Sequence, residues 1–167
     1  THLTHFENTK SWLQLNNFTP LCPSDANGTG RVIDIPVGSD LIGDVEVQRF
    51  LNIGLNGWRE MSSTVQGKNL GNWSDDGIIM TNFPGADYPT FGWTSVFTYN
   101  ENLANGDKNN GWVEATNITN NIDPSKGHRV YIGSGTFTTV LSGAVRTGDQ
   151  TINLDYQNTL PAEIAAA

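Results

Sequence analysis

The stretch Val45-Glu46-Val47-Gln48-Arg49-Phe50-Leu51 decides the fold class, because it alternates apolar and polar side chains over seven residues. Alternation with a period of two is typical of a strand that covers a core with one face. Val45, Val47 and Arg49 would share one face, and Glu46, Gln48 and Phe50 the other. The preceding Gly43-Asp44 is typical of a turn, so the sequence predicts a strand that begins directly after a tight turn.

The same kind of short run recurs along the chain, whereas helix signals are scarce. Alternating or β-branched and aromatic runs predict further strands over residues 31–35, 93–99, 129–132, 136–141 and 151–156. One helical turn is predicted over residues 68–76, with Leu70 and Trp73 spaced to share a face. The predicted fold is therefore all-β, an antiparallel β-sandwich of jelly-roll type with few short helical turns.

The length of 167 residues fits one domain, and no interdomain linker is evident. We divide the chain into residues 1–30, an N-terminal arm or first strands; residues 31–160, a single β-sandwich domain; and residues 161–167, a C-terminal tail. The long connection over residues 65–92 is unusual for a compact domain, and long loops are often functional.

The charge balance limits the partners that we expect. Seventeen acidic residues against nine basic ones give a net charge of −8, which argues against a nucleic-acid partner. No apolar run is long enough for a membrane span. The single cysteine, Cys22, has no basic neighbour in sequence that would activate it, so we expect a buried, unreactive thiol.

Metal and catalytic signals are weak. His2, His5 and Glu7 lie close in sequence but lack the spacing of a zinc helix. Asp25-Ala26-Asn27-Gly28-Thr29 places oxygen ligands at alternate positions, which leaves calcium as an alternative to a plain turn. We therefore predict no metal site and no cofactor, with calcium kept open.

Catalysis would have to use carboxylates of the long loop. Asp75, Asp76 and Asp87 are the candidates for a hydrolase, which needs two carboxyl groups at a fixed separation. The sequence contains no other catalytic constellation and no nucleophile elbow. We predict that the protein is not an enzyme and has no catalytic residues.

Aromatic side chains are the strongest candidates for ligand binding. Trp73, Tyr88 and Trp112 have loop contexts, and exposed rings can stack on the apolar faces of sugars while polar neighbours bind the hydroxyls. These three residues are the predicted ligand-binding platforms. Trp58 and Trp93 lie in or beside apolar strands, so we expect them in the core.

The order of several motifs resembles a block in large surface proteins of Bacteroidota that are exported by the type IX secretion system. The matching segments run from Gly43-Asp44-Val45-Glu46-Val47-Gln48-Arg49-Phe50 through Gly57-Trp58-Arg59, Thr81-Asn82-Phe83-Pro84-Gly85-Ala86-Asp87-Tyr88-Pro89 and Lys126-Gly127-His128-Arg129-Val130-Tyr131-Ile132. The resemblance covers roughly residues 30–157, and the first 30 residues match nothing in it.

This resemblance implies an extracellular, cell-surface protein without transferable catalytic residues. The leading hypothesis is a non-enzymatic structural or adhesion module, whose partners are other surface-protein domains or like subunits. One alternative is a carbohydrate-binding module with glycans as partners. Another is a fibre subunit that assembles by strand-edge pairing, with Thr136 to Leu141 as the open edge and the segment around Trp12, Leu13, Leu15 and Phe18 as the donated strand.

Overall fold

The computed structural model describes residues 12–15, 19–30, 35, 38–52, 57–104 and 107–153. These residues form an all-β protein, as the alternating sequence predicts. The strands are β1 (Trp12–Gln14), β2 (Leu21–Cys22), β3 (Ser24–Asp25), β4 (Gly28–Thr29), β5 (Asp40–Ile42), β6 (Val45–Asn52), β7 (Trp58–Met61), β8 (Lys68–Asn69), β9 (Val96–Tyr99), β10 (Trp112–Glu114), β11 (Asn121–Ile122), β12 (His128–Tyr131) and β13 (Thr136–Gly143). The helical elements are α1 (Leu70–Asp75), α2 (Glu101–Ala104) and a 3-10 turn (Lys108–Gly111).

The fold-deciding stretch forms the middle of a three-stranded sheet with the order β13-β6-β2. β13 pairs with β6 antiparallel over eight residues, and β2 pairs with β6 in parallel. Val45 and Val47 are buried, Arg49 on the same side is exposed, and Leu51 beyond it packs against the core, so the predicted strand is confirmed. Gly43 makes the predicted turn with φ of +122°, a backbone conformation that favours glycine.

A second, four-stranded sheet carries the residues discussed below. Its order is β10-β9-β12-β7, and every pair is antiparallel. Successive side chains of a strand point to opposite faces of the sheet. Val96, His128 and Val130 are accordingly buried on the inner face.

One hydrophobic cluster contains inner-face residues of both sheets together with residues of the long connection. Val45, Val47 and Leu141 come from the three-stranded sheet, and Val96 and Val130 from the four-stranded sheet. From the long connection, the cluster includes Val65, Leu70, Trp73, Ile78, Met80 and Phe83. The two sheets share this core, and the antiparallel β-sandwich of jelly-roll type stays a prediction.

The connection over residues 65–92 is more ordered than the sequence suggests. It contains β8 and α1, which confirms the predicted helical turn, and an isolated bridge joins Thr81 to Tyr88. The Asn69 amide at the start of α1 donates to the Asn72 side chain at 3.1 Å. Leu70 and Trp73 face the core from the same side of this helix.

Other predictions of strand limits are corrected or fall outside the description. The strand predicted over residues 93–99 starts only at Val96, and residues 151–153 form no strand. Residues 31–34, 154–156 and the tail at 161–167 lie outside the described residues. At the N-terminus, β1 pairs with β5 of the same chain, and Leu15 and Cys22 belong to the core. The described part of the segment proposed as a donated strand is thus paired within its own domain.

Candidate aromatic binding face

The outer face of the four-stranded sheet is aromatic. Trp58 lies directly opposite Tyr131, and Trp112 directly opposite Tyr99, so each pair shares a face. Phe97 lies two residues before Tyr99 and therefore points the same way. These rings stand on the side opposite the buried Val96 and Val130.

Two rings of the long connection, Tyr88 and Phe91, and the ring of Trp93 just after it extend this surface. Trp93 lies 4.8 Å from Tyr131 and 5.8 Å from Trp58 between ring centroids. Phe91 follows at 5.6 Å from Trp93, and Tyr88 at 6.2 Å from Phe91. We call the eight residues together the aromatic face: Trp58, Tyr88, Phe91, Trp93, Phe97, Tyr99, Trp112 and Tyr131.

Hydrogen bonds fix the segment that presents Tyr88, Phe91 and Trp93. The Thr81 hydroxyl donates to the Trp93 carbonyl at 2.8 Å, and the Thr81 amide donates to the Ser95 hydroxyl at 2.9 Å. The Tyr88 amide donates to the Met80 carbonyl, and the Tyr88 carbonyl accepts from the Asn82 amide. The loop rings are thereby tied to the strand that leads into the sheet.

Arg129 lies at the centre of the sheet part of this surface. Its guanidinium carbon is 4.9 Å from the Trp112 ring centroid and 5.7 Å from that of Trp58. Within about 6 Å, a guanidinium over an indole face is an attractive cation–π contact. Arg129 on β12 therefore bridges Trp58 on the adjacent strand β7 and Trp112 on β10, which lies beyond β9.

Carboxylates complete the polar part of the face. Glu60 lies opposite Arg129, with 3.7 Å between its Oε1 and the Arg129 Nε, a loose and solvent-exposed ion pair. Glu114 lies opposite Phe97, and its Oε2 accepts from the Thr94 hydroxyl at 2.9 Å. The arrangement thus offers flat apolar rings beside one guanidinium and two carboxylates.

The three predicted ligand-binding platforms differ in their exposure to solvent. Trp73 is 1% exposed and belongs to the core, so its prediction as an exposed platform is wrong. Its spacing from Leu70 on α1 turns the ring inward, where it meets the His128 ring edge-on at 5.7 Å. Tyr88 is 55% exposed, and Trp112 is half-buried against Tyr99 at 5.1 Å. Both belong to the aromatic face.

The expectation that Trp58 and Trp93 lie in the core is also wrong. Trp93 is 40% exposed, and Trp58 is half-buried among the rings of the outer face. Sequence reasoning missed Phe91, Phe97, Tyr99 and Tyr131 as parts of a surface. The alternation of Phe97 and Tyr99 with buried Val96 was the signal that placed them on the outer side.

Two of the three proposed hydrolase carboxylates, Asp76 and Asp87, have structural partners. Asp87 accepts hydrogen bonds from the Met80 amide at 2.8 Å and from the Ser74 hydroxyl at 3.1 Å. Asp76 accepts from the Val140 amide at 2.7 Å, and partial burial raises the pKa of its carboxyl group. Both residues tie the long connection to its surroundings.

Cys22 is buried, as expected, and burial raises the pKa of its thiol, which disfavours the nucleophilic thiolate. At the candidate calcium site, Asp25 Oδ1 accepts from the amides of Asn27 and Gly28 at 2.7 and 3.1 Å in the turn between β3 and β4. The described residues contain no group of three or more His, Cys, Asp or Glu side chains placed to hold a metal. His2, His5 and Glu7 lie outside them, and the prediction of no cofactor stays a prediction.

No protein-family profile, curated protein or solved structure matches this chain. No helix in the described part of the chain is long and apolar enough to cross a membrane.

Proposed function

We propose that this chain is a non-enzymatic adhesion module of a cell-surface protein and that its aromatic face binds a carbohydrate chain. The observation that carries the proposal is a continuous row of rings that runs from Tyr88 to Tyr131 and Trp58. Arg129 connects this row to the ring pair of Trp112 and Tyr99. The extracellular location and type IX export rest on the sequence resemblance described above.

Exposed aromatic rings on a rigid sheet are suited to stacking against sugar rings. Tyr88, Phe91 and Trp93 are each at least 40% exposed, although apolar side chains normally avoid water. A contiguous exposed apolar patch marks an interaction site. Because the rings sit on a sheet and on a hydrogen-bonded loop, little conformational entropy is lost when a ligand binds.

The charge balance favours a neutral polysaccharide over an acidic one. Arg129 is flanked by Glu60 and Glu114, and the whole chain carries a net charge of −8. A uronic-acid or sulfated polymer would meet this negative field at long range. Neutral hydroxyl groups can donate to the two carboxylates and accept from the guanidinium.

Affinity electrophoresis through gels that contain soluble polysaccharides tests the proposal. The panel comprises neutral polymers (hydroxyethyl cellulose, mixed-linkage β-glucan and mannan) and acidic ones (alginate and polygalacturonate). At least one neutral polymer is expected to retard the wild-type chain. The double substitution Tyr88→Ala with Trp112→Ala should weaken that binding about tenfold or more, since each lost ring removes roughly 1 kcal/mol of contact.

Leu21→Ala is the matched control, because Leu21 is 49% exposed but belongs to the three-stranded sheet. Its retardation should equal that of the wild type. The proposal is wrong if no neutral polymer retards the wild-type chain, or if the double variant is retarded as strongly as the control.

A further inference from the structure

The two carboxylates of the aromatic face are held in different ways. The Glu60 Oε1 lies 3.7 Å from the Arg129 Nε, a loose contact between solvent-exposed side chains. The Glu114 Oε2 instead accepts a hydrogen bond of 2.9 Å from the Thr94 hydroxyl, and Thr94 is 1% exposed. A hydrogen bond to an ionised carboxylate is about twice as strong as one between neutral groups. The Glu114 carboxylate is therefore fixed in position, whereas the Glu60 carboxylate is less constrained.

A second hydrogen bond holds the Thr94 hydroxyl in place. The Asn82 Nδ2 donates to the Thr94 Oγ1 at 3.0 Å, so this hydroxyl accepts from Asn82 and donates to Glu114. Asn82 has φ of +70°, a left-handed conformation that asparagine tolerates better than most other residues. Its own amide donates to the Tyr88 carbonyl at 2.9 Å. The relay from Asn82 through Thr94 thus connects the loop that presents Tyr88 to the exposed carboxylate of Glu114.

The Glu114 carboxylate lies among rings of the aromatic face. Glu114 follows Trp112 by two positions on β10, so the two side chains share a face and their Cα atoms are about 7 Å apart. Its cross-strand neighbour on β9 is Phe97. Its partner Thr94 directly follows Trp93, whose ring is 40% exposed. A sugar unit stacked on one of these rings can therefore bring its edge to the carboxylate.

The Glu114 carboxylate can accept further hydrogen bonds. An ionised carboxylate has about four acceptor positions on its two oxygens. Among the described residues, the Thr94 hydroxyl fills one of these positions. Two adjacent hydroxyl groups of one sugar unit can donate to the two oxygens together, which adds geometric specificity to the gain in energy.

Stacking restricts which pair of hydroxyl groups can reach the carboxylate. A pyranose that lies flat on an aromatic ring presents its equatorial substituents around its edge and its axial ones above and below. An adjacent pair of equatorial hydroxyls therefore points sideways, toward a group that stands beside the ring. Glucose units within a glucan chain carry such a pair. In mannose units, one hydroxyl of the corresponding pair is axial.

We propose that Glu114 binds an adjacent pair of equatorial hydroxyls and thereby makes the aromatic face prefer a glucan chain to a mannan chain. This inference rests on the proposed carbohydrate binding and adds the substrate class. Glu114 contacts the sugar unit that is stacked on a neighbouring ring. Thr94 and Asn82 are positioning residues, which act only through the carboxylate of Glu114.

Affinity electrophoresis through gels with mixed-linkage β-glucan or with mannan tests this preference. The wild-type chain is expected to bind the β-glucan about tenfold more tightly, because mannan makes one hydrogen bond fewer to a charged group. Glu114→Gln removes the charge and one acceptor oxygen, so it should weaken β-glucan binding about tenfold and mannan binding by less than about twofold. Glu46→Gln is the matched control, because it makes the same change on the three-stranded sheet and should keep the preference.

Two variants of Thr94 test the relay. Thr94→Val removes the hydroxyl with little change in volume and releases the carboxylate, so β-glucan affinity should fall about threefold or more. Thr94→Ser keeps a hydroxyl and should keep the preference. A Thr94→Val variant with the full preference for β-glucan would overturn the positioning role. If Thr94→Val does not fold, the Glu114→Gln result decides the proposal.

The outcomes separate this inference from the proposed function. The inference is wrong if mannan retards the wild-type chain as strongly as β-glucan does, or if Glu114→Gln keeps the wild-type preference. In either case, weaker binding of the double variant Tyr88→Ala with Trp112→Ala would still support carbohydrate binding by the rings. Failure of every neutral polymer to retard the wild-type chain would instead overturn the proposed function and this inference together.

Discussion

The outer faces of the two larger sheets follow the same alternation but present different chemistry. On the three-stranded sheet, the outward residues of β6 and β13 include Gln48, Thr138, Val140 and Ser142, which are polar or aliphatic, and a single half-buried ring, Phe50. On the four-stranded sheet, the corresponding positions hold aromatic rings around Arg129. A polar face is satisfied by water, whereas exposed rings gain free energy when a partner covers them. The difference supports the proposal that the four-stranded sheet, rather than the three-stranded one, carries the binding surface.

The edge of the three-stranded sheet is protected by a side chain. Asp76 accepts a hydrogen bond from the outward amide of Val140 on β13 at 2.7 Å. Capping an edge with a charged side chain is a common protection against unwanted strand pairing.

The largest expected effect is the difference in stability between losing a core ring and losing a ring of the aromatic face. Trp73→Ala should lower the free energy of unfolding by about 3–5 kcal/mol, because a fully buried ring leaves a cavity. Trp112→Ala should lower it by only about 1 kcal/mol, because the half-buried ring loses its contacts with Tyr99 and Arg129. Urea unfolding of both variants measures this, and equal losses would contradict the assignment of Trp112 to a surface.

The next effect concerns the loop that carries Tyr88. Gly85 has φ of +80°, and an added Cβ would overlap the Ile118 side chain. Gly85→Ala should therefore cost about 2–4 kcal/mol from backbone strain and overpacking.

Gly67→Ala is the control for Gly85→Ala, since Gly67 has φ of +72° but open space around it. It should cost only about 1 kcal/mol. If Gly67→Ala loses as much stability as Gly85→Ala, the positive φ alone accounts for the cost at Gly85, and overlap with Ile118 adds nothing.

His128 should make stability depend on pH. Burial lowers the pKa of its imidazole, and Lys126 acts in the same direction, whereas Asp123 and the backbone carbonyls of Lys126 and Asn121 oppose the change. The unfolded chain then binds more protons than the folded one, so stability is complete above about pH 6.5 and falls as the pH drops, with a slope of at most about 1.4 kcal/mol per pH unit.

His128→Phe keeps a ring against Trp73 and removes this titration. Urea midpoints between pH 8 and pH 5 should fall for the wild-type chain and stay flatter for the variant. Parallel curves would show that another group governs the acid response.

The smallest effect tests the protected edge of β13. Asp76→Ala should cost about 1 kcal/mol by removing the acceptor of the Val140 amide. Asp76→Asn keeps an acceptor and removes a carboxylate whose pKa is raised by burial, so at pH 7 it should be at least as stable as the wild type. Concentration-dependent light scattering should rise for Asp76→Ala only, because the freed amide exposes the edge.

Local patterns predicted much of the fold. The alternation over Val45 to Leu51 and the Gly43 turn gave the central strand, and the Leu70–Trp73 spacing gave α1. The same helical spacing buries Trp73, which was nevertheless predicted as a platform from its loop-like neighbours. The alternation of side chains over Val96–Tyr99 is enough to predict that Phe97 and Tyr99 point outward.

The aromatic face as a whole was not predictable from sequence, because it depends on strand order. Trp58 and Tyr131 are 73 positions apart in the chain and meet only through the pairing of β7 with β12. Non-local pairing carries this information, and single-sequence periodicity does not contain it.

The most direct test of the central claim is an NMR titration of the isotopically labelled chain with the neutral polysaccharide that retards it. The indole Nε1–H signals of Trp58, Trp93 and Trp112 should shift together with amides of β9, β10 and β12. The indole signal of Trp73 and the amides of β6 and β13 should not move. Shifts confined to β6 and β13, or the absence of any shift at saturating polysaccharide, would contradict the assignment of the aromatic face as the binding surface.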